Sequence, residues 1–350
     1  MIQTNDLRIR DFQPLTPPNV LKKEIPLSDS SARTVAESRE VIQSIISRAD
    51  NRLLAIVGPC SIHDPRVALD YAGRLLTLHN ELQDRIYLVM RVYFEKPRTA
   101  LGWRGLILDP HLDGSNDIQA GLRIARQLLV EITSMGVPTA TEMLDPIVPQ
   151  YTADLISWAA IGARTTESQT HREMSSGLSM PVGFKNGTDG SVDVAVNALK
   201  SAREPHSFIG IDPDGRTCVL RTTGNPFGHI ILRGGRRGPN YATEWVESAS
   251  KLLTDAGYPP TVIVDCSHAN SLKDATRQQN VLRSVIGQRV GGQDGIVGFM
   301  LESNLRPGRQ DIKPNFEELD YGVSITDACI GWDETEETLR WAYEQLGSVT

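Results

Sequence analysis

The sequence predicts an α/β protein, a (β/α)8 (TIM) barrel with an N-terminal extension and a β-hairpin inserted before the sixth strand. Eight short apolar runs rich in β-forming residues alternate with stretches of helical period over about 250 residues, which is typical of this barrel. The alternative is a doubly wound open sheet. Its usual glycine fingerprint, GxGxxG, does not follow the first run, which ends instead in Gly58-Pro59-Cys60.

Each predicted element follows from the spacing of its apolar residues. In one helix, apolar residues recur every three or four positions from Ile118 to Ile132 and form a single stripe. Another helix is expected to begin at Asp64-Pro65, an N-cap residue followed by a first-turn proline. The predicted strands are residues 53–57, 86–92, 138–141, 159–163, 182–184, 229–232, 262–264 and 296–301.

Two segments lie outside the eight repeating units. Residues 1–50 form an N-terminal extension with one predicted helix at residues 32–48. Residues 205–224 contain the turn-forming residues 212–215 between short β-rich pieces, which predicts a hairpin. We expect both segments to serve subunit assembly or regulation, and residues 51–347, which include the hairpin, to form the catalytic barrel.

Composition and charge exclude several classes of protein. The chain has 350 residues, with 36 Lys and Arg against 43 Asp and Glu, and its net charge of −7 argues against coating of nucleic acid or an anionic membrane. Its four cysteines lack CxxC spacing, which excludes a zinc ribbon or a thioredoxin-type site. No apolar run approaches the roughly 18 residues of a membrane-spanning helix, and the polar N-terminus does not resemble a secretory signal. We therefore expect a cytoplasmic protein.

Positive side chains follow several of the predicted strands, and in a barrel these strand ends meet at one face. Each one alone is most simply a solvated surface charge, but a cluster of them is costly unless it binds an anion. Arginine offers a planar fork for phosphate or carboxylate, and lysine offers a point charge. The sequence therefore predicts a site for an anionic ligand. The clustered cations are Arg91, Lys96, Arg98, Arg164, Lys185 and Arg233.

A second set of side chains at this face has the chemistry of metal ligands. Cys60, His268, Glu302 and Asp327 offer a thiolate, an imidazole and two carboxylates, which suit a divalent ion such as Mn, Fe, Co or Zn. Because they follow different strands, no local spacing identifies the site. A buried cysteine is also a common small apolar residue, and a lone histidine is a common core residue. The position at the strand ends favours the metal interpretation.

Seven segments resemble one family over nearly the whole chain, from about Asp6 to the C-terminal helix. They are GPCSIHD (58–64), EKPRT (95–99), GARTTESQ (162–169), PVGFKNGTDG (181–190), HIILRGG (229–235), DCSHAN (265–270) and SITDACIGW (324–332). The chain resembles the short-chain, feedback-regulated class I family of 3-deoxy-D-arabino-heptulosonate 7-phosphate (DAHP) synthases. The resemblance implies a (β/α)8 barrel that condenses phosphoenolpyruvate with erythrose 4-phosphate and water and releases phosphate, the first step of the shikimate pathway.

The resemblance also implies roles for individual residues. The metal ligands of the family correspond to the four residues named above, of which Cys60 and His268 are also counted as catalytic. Lys96 is the candidate donor of a proton to the new alkoxide, with a water on the metal as the alternative. The positions that correspond to the phosphoenolpyruvate site are Arg91, Lys96, Arg164, Lys185 and Arg233, with Glu142 beside them. The positions that correspond to the erythrose 4-phosphate site are Lys96, Pro97, Arg98 and Thr99, with Asp327 nearby.

The resemblance further implies inhibition by one aromatic amino acid, bound away from the catalytic face, and assembly as a homodimer or homotetramer. The extension and the hairpin would build the inhibitor cavity and the subunit contacts; the alternative is that they only cap the barrel. Gly210 leaves space for a phenol hydroxyl, which favours tyrosine over phenylalanine. The corresponding positions are Asn5, Asp6, Pro149, Gln150, Leu178, Ser179, Phe208 and Gly210.

Two other classes of function remain open from the sequence. A metal-dependent sugar-phosphate aldolase would share the barrel and the ion, but it would not explain enough cations for two phosphates and a carboxylate. A non-catalytic sugar-phosphate sensor would bind its ligand without releasing phosphate. No nucleic acid or membrane partner is expected.

Overall fold

The computed structural model describes residues 2–98, 101–313 and 316–347. Eight parallel strands close into a barrel in the order β1-β2-β3-β4-β5-β8-β9-β10, and β10 pairs back with β1. The predicted (β/α)8 barrel is therefore confirmed, and β6 and β7 form a separate antiparallel hairpin. The strands are β1 (Leu53–Gly58), β2 (Ile86–Arg91), β3 (Thr139–Glu142), β4 (Trp158–Ile161), β5 (Val182–Lys185), β6 (Ser207–Ile211), β7 (Thr217–Arg221), β8 (Gly228–Leu232), β9 (Val262–Asp265) and β10 (Ile296–Glu302).

Helices cover the outside of the barrel, and some of them begin at side-chain caps that the sequence supplies. The Asp64 carboxylate accepts from the Arg66 backbone N–H at 2.9 Å, and the Asp117 carboxylate accepts from that of Ala120 at 3.0 Å. The helices are α1 (Pro18–Glu24), α2 (Asp29–Ile46), α3 (Pro65–Leu82), α4 (Ile118–Ser134), α5 (Pro149–Thr152), α6 (Gln169–Ser176), α7 (Asp193–Ala202), α8 (Thr243–Asp255), α9 (Gln278–Val290) and α10 (Trp332–Leu346).

Most predicted strand boundaries differ from the observed ones by one or two residues. The predicted strand at 159–163 is observed as Trp158–Ile161, since the chain turns at Gly162, whose carbonyl accepts from the N–H of Thr165 and Thr166. Several strands instead run one residue further than predicted and end on a charged residue, as β5 does at Lys185. These extensions place the charged side chains inside the mouth of the barrel.

Helix α2 closes the N-terminal end of the barrel. It begins at Asp29 rather than at residue 32, because Ser28 caps it by accepting from the Ser31 N–H at 3.0 Å. Ile42 and Ile45 on its buried face share one apolar cluster with Leu54 of β1 in the barrel interior. With this end closed, ligands have access to the interior from the opposite, carboxyl end of the strands.

A buried histidine fills part of the barrel interior. The indole N–H of Trp158 donates to Nε2 of His229 at 3.0 Å, and both side chains are fully buried. A Cβ on the neighbouring Gly183 would approach both rings within 3 Å, so the strand has room only for glycine there. Burial lowers the pKa of His229 to about 4, from an ordinary value of 6.5.

This pKa predicts how stability changes with pH. The unfolded chain binds a proton at His229 more readily than the folded chain does. The free energy of unfolding is therefore at its full value above about pH 6.5 and decreases as the pH drops towards 4. A His229→Gln variant keeps an acceptor for the Trp158 N–H, because its amide oxygen is able to accept, but it has no group that titrates in this range. Its free energy of unfolding should therefore decrease less than that of wild type between about pH 6.5 and 4, by up to about 3 kcal/mol. Urea unfolding at a series of pH values measures the effect, with the exposed His111→Gln as control; parallel curves for wild type and His229→Gln would contradict it.

The N-terminal extension and the hairpin contact each other. The Asn19 backbone N–H at the start of α1 donates to the Pro213 carbonyl in the hairpin turn at 2.8 Å. The Tyr151 hydroxyl of α5 donates to the Thr16 carbonyl at 2.9 Å. The extension therefore bridges the hairpin and the short helix α5.

Among the described residues, no helix is both long enough and apolar enough to traverse a lipid bilayer.

Candidate active site

A cavity of about 430 Å³ opens at the carboxyl end of the barrel strands. Residues from separate strand ends line it, as the barrel geometry requires. Arg91 and Cys60 lie fully buried below it. The predicted site residues in its lining are Lys96, Pro97, Arg98, Glu142, Arg164, Lys185, Arg233, His268, Glu302 and Asp327. Thr99 lies outside the described residues.

A larger cavity of about 680 Å³ lies at the other end of the barrel, where the strands begin. Three of its four arginines are paired with neighbouring acids, Arg52 with Asp50 at 2.6 Å, Arg85 with Asp84 at 3.6 Å and Arg289 with Asp294 at 2.7 Å. These pairs largely neutralise its charge. The smaller cavity, which contains the titratable cluster at the strand ends, is therefore the candidate active site.

Three of the four predicted metal ligands meet at one point. Ligand atoms of Cys60, Glu302 and Asp327 all lie within 4.8 Å of one another, and Cys60 Sγ is 3.6 Å from Asp327 Oδ2. The fourth, His268, has its Nε2 3.9 Å from Glu302 Oε1. Burial raises the pKa of the Cys60 thiol to about 11, and the charge of Glu302 adds to the rise. A bound cation would oppose this rise, because the thiolate is the form that binds metal.

Lys96 touches the same cluster. Its ammonium donates to Cys60 Sγ at 3.1 Å and to the Cys60 carbonyl at 3.2 Å. Burial by itself lowers the pKa of Lys96, but the acidic groups of Cys60, Glu302 and Asp327 outweigh burial and raise it. Lys96 therefore holds a proton next to the point where the ligand atoms converge.

Two of the six predicted cations are paired with buried carboxylates. Arg91 Nη2 lies 3.1 Å from Glu302 Oε1, and Lys185 Nζ lies 3.1 Å from Asp265 Oδ2. The Nη1 group of Arg91 is buried and has no hydrogen-bond partner among the described residues. An orphaned guanidinium N–H beneath a cavity points to an anionic ligand above it.

The other cations lie along the cavity wall. Arg98 Nε donates to the Trp103 carbonyl at 2.8 Å, which fixes the direction of its guanidinium. Burial lowers the pKa of Arg233, and the positive charge of Arg164 adds to the lowering. Two arginines that repel each other in this way form a favourable site for a phosphate or carboxylate.

Glu142 at the end of β3 has one oxygen in an unusual position. Its Oε1 is buried and has no hydrogen-bond partner among the described residues. A Cβ on Gly162 would overlap this oxygen, so the glycine after β4 leaves room for the carboxylate in this position. The orphaned oxygen borders the same cavity and is available to accept from a ligand hydroxyl or a water.

Sequence reasoning missed several residues of this site. Asp265 ends β9, and the rule that singled out the other strand-end residues would have found it. Ser267 follows it within the same motif. Lys273 and Arg309 also line the cavity, but they come from loops distant from any predicted strand end, and no sequence signal marks them. Lys273 adopts a left-handed backbone with φ of 63°, which is uncommon outside glycine.

The predicted inhibitor positions lie on neighbouring surface elements. The Leu178 carbonyl, after α6, accepts from the Asn225 side chain at 3.1 Å, and the Ser176 hydroxyl is 2.6 Å from that of Thr222 after β7. Phe208 and Gly210 belong to β6. Pro149 and Gln150 lie in α5, Ser179 is exposed after α6, and Asn5 and Asp6 lie in the exposed extension.

Comparison with known proteins points to one family. The model of the DAHP synthetase I family matches residues 25–340. A Tyr-sensitive phospho-2-dehydro-3-deoxyheptonate aldolase of Salmonella typhimurium is 56% identical over 342 residues, covering 98% of this chain and 96% of the relative. A Phe-sensitive one of Escherichia coli is 52% identical over 338 residues, covering 97% and 96%. The solved phospho-2-dehydro-3-deoxyheptonate aldolase of Francisella tularensis matches with a TM-score of 0.95 at 48% identity, covering 98% and 99%.

These similarities extend over the barrel, the hairpin and most of the N-terminal extension. Identity of about half over nearly the full length of both proteins goes well beyond a shared fold. This chain belongs to the DAHP synthetase I family and is an enzyme of that type.

Proposed function

We propose that the cavity at the carboxyl end of the barrel condenses phosphoenolpyruvate with erythrose 4-phosphate and water, giving DAHP and phosphate. This is the first step of the shikimate pathway. The observation that carries the proposal is the position of Arg98, Arg164 and Arg233 in one cavity with the acidic cluster around Cys60. The two substrates bring roughly five negative charges, since a phosphate monoester is close to −2 at pH 7.

The donor set fits a divalent ion. A thiol, two carboxylates and an imidazole together suit Mn, Fe, Co or Zn, and the family is in general metal-dependent. We assign Cys60, His268, Glu302 and Asp327 as the ligands. A bound ion would supply Lewis acidity towards the aldehyde oxygen of erythrose 4-phosphate.

Substrate binding and proton transfer are assigned to side chains of the protein. Arg164, Arg233 and Lys185, with Arg91 below, hold the phosphate and carboxylate of phosphoenolpyruvate, and Arg98 holds the phosphate of the sugar. This binding brings C3 of phosphoenolpyruvate against the aldehyde carbon, which supplies proximity. Lys96 donates a proton to the oxygen that becomes an alkoxide when the carbon–carbon bond forms. Water then adds at C2 and gives up a proton, which restores the Lys96 ammonium. The C2 carbonyl forms as the bond between C2 and the phosphate oxygen breaks, and phosphate leaves with that oxygen.

Feedback inhibition is assigned to a site away from the catalytic face. We propose that an aromatic amino acid binds between α5, the end of α6 and the hairpin. The Leu220 side chain fills the space beside Gly210, where a Cβ would come within 2.6 Å of it, so the expected room for a phenol hydroxyl at Gly210 is absent. Tyrosine is favoured instead because a Tyr-sensitive relative is 56% identical to this chain and a Phe-sensitive one 52%. The contacts of the extension with the hairpin turn and with α5 support a regulatory role for residues 1–50.

We also propose that the chain assembles as a homodimer or homotetramer through the same elements. The extension exposes Leu7 and Phe12, and the hairpin exposes the cross-strand pair Ile209 and Val219, which supports an apolar contact between subunits. The four cysteines are free, which agrees with the proposed cytoplasmic location.

A phosphate-release assay tests the function directly. Phosphate should appear only when phosphoenolpyruvate and erythrose 4-phosphate are both present, and one DAHP should form per phosphate. Tyrosine, phenylalanine and tryptophan should then be added in separate assays, and tyrosine should lower the rate of phosphate release more than the other two. Binding of either substrate without phosphate release would favour the sensor, and cleavage of a sugar phosphate without phosphoenolpyruvate would favour the aldolase.

A further inference from the structure

Asp265 at the end of β9 connects the two halves of the active site. Its carboxylate is fully buried, and both of its oxygens have partners. Oδ2 lies 3.1 Å from Lys185 Nζ and 2.9 Å from His268 Nδ1. Oδ1 accepts from the Ser267 backbone N–H at 3.0 Å and from its hydroxyl at 2.6 Å. One carboxylate therefore touches a cation of the substrate site and an imidazole of the metal site.

The contact with His268 determines which ring nitrogen faces the cavity. Nδ1 lies 2.9 Å from Asp265 Oδ2 and 2.6 Å from the Ser267 hydroxyl oxygen. Because that hydroxyl donates its own proton to Asp265 Oδ1, Nδ1 carries the ring proton, and the proton-free Nε2 is directed towards Glu302, whose Oε1 is 3.9 Å away. A histidine that binds a metal ordinarily uses its other nitrogen in this way, on a carboxylate that fixes the tautomer and the ring orientation. The backbone supports the same direction, since His268 has a left-handed φ of 57° and its carbonyl accepts from the Lys273 N–H at 2.7 Å.

The contact with Lys185 orients a substrate cation. Lys185 is buried at the end of β5 and lines the cavity, so its flexible stem needs a fixed partner to hold its charge in one place. Asp265 is that partner. A single buried carboxylate that binds both groups makes their positions depend on each other.

We propose that Asp265 is a positioning residue that sets the imidazole of His268 for metal binding and the ammonium of Lys185 for phosphoenolpyruvate. The inference rests on the proposed active site and deepens it. It implies that metal affinity and phosphoenolpyruvate affinity are linked through this carboxylate, while erythrose 4-phosphate binding does not depend on it.

The variant Asp265→Asn tests the proposal because it keeps the shape but replaces one acceptor oxygen with an NH2 group. That amide nitrogen cannot accept from Lys185 and His268. Calorimetric titration of the metal-free protein with Mn²⁺ should show a 10- to 100-fold higher Kd than wild type, the usual effect of losing such a carboxylate. With saturating Mn²⁺, KM for phosphoenolpyruvate should rise at least about tenfold, and KM for erythrose 4-phosphate should stay within about twofold.

Two further measurements separate the possible failures. If wild type itself does not bind Mn²⁺, the proposed metal site is wrong and the inference falls with it. If wild type binds Mn²⁺ and Asp265→Asn binds it within twofold of wild type, only the inference is wrong. Should Asp265→Asn not fold, Ser267→Ala removes the hydroxyl that joins Asp265 Oδ1 to His268 Nδ1, 2.6 Å from each. This variant should raise the Mn²⁺ Kd by a smaller factor, about three- to tenfold, and an unchanged Kd there would also overturn the proposal.

Discussion

Replacing Cys60 with Ala is expected to remove the bound divalent ion and to lower turnover by about 10³-fold or more. The variant loses the only thiol in the ligand cluster and the acceptor for the Lys96 ammonium at 3.1 Å. Loss of Lewis-acid stabilisation is worth several kcal/mol, and about 4 kcal/mol corresponds to 10³ in rate. Metal content by elemental analysis and steady-state turnover with both substrates measure the two effects.

The chain offers a matched control for this variant. Cys218→Ala changes a half-buried cysteine of the hairpin strand β7 and should leave metal content and turnover at the wild-type level. Full metal content together with full activity in Cys60→Ala would show that the ligand assignment is wrong. If Cys60→Ala keeps its metal but loses activity, the role of Cys60 is its contact with Lys96 and not metal binding.

The barrel was predictable because its pattern is local and repeats. Strands buried on both faces appear as continuous apolar runs, and β1, β2 and β10 are buried at every position. Strand order also follows from the chain, since parallel neighbours connected by helices lie side by side in sequence order. The inserted hairpin was visible for a different reason, because its turn residues at 212–215 interrupt the alternation of strand and helix.

The set of charged residues was predictable, but their pairing was not. The rule that polar residues at strand ends share one face brings Lys96, Arg164 and Arg233 into one cavity. The rule contains no distances, so it could not tell that Lys185 and Arg91 are paired with buried carboxylates while other cations line the cavity. Asp265 also ends its strand, but a single carboxylate in the sequence does not indicate which cation or imidazole it will contact.

Contacts between distant loops were beyond sequence reasoning. Arg309 reaches the cavity from a loop after β10, and its position depends on how that loop folds back over the barrel, as the bridge between its own backbone and that of Ser324 shows. The contact of Asn19 with the hairpin turn joins residues 194 positions apart. Such contacts have no local pattern, because they are decided by the packing of whole elements.

Arg164→Ala is expected to raise KM for phosphoenolpyruvate by roughly 30- to 150-fold and KM for erythrose 4-phosphate by less than about threefold. The guanidinium lies in the cavity wall close enough to Arg233 to lower the pKa of that neighbour, so both arginines suit one shared anion. A charge-assisted hydrogen bond contributes about 2–3 kcal/mol, which corresponds to this factor in affinity. Initial rates with each substrate varied at saturating levels of the other measure both constants.

The opposite pattern in Arg98→Ala makes the test specific. Arg98 is fixed by its bond to the Trp103 carbonyl and is assigned to the sugar phosphate, so its loss should raise KM for erythrose 4-phosphate more than KM for phosphoenolpyruvate. General damage to the barrel mouth would raise both constants in both variants. If Arg164→Ala changes the two constants equally, Arg164 does not belong to the phosphoenolpyruvate site, because a side chain bound to one substrate changes the affinity for that substrate first.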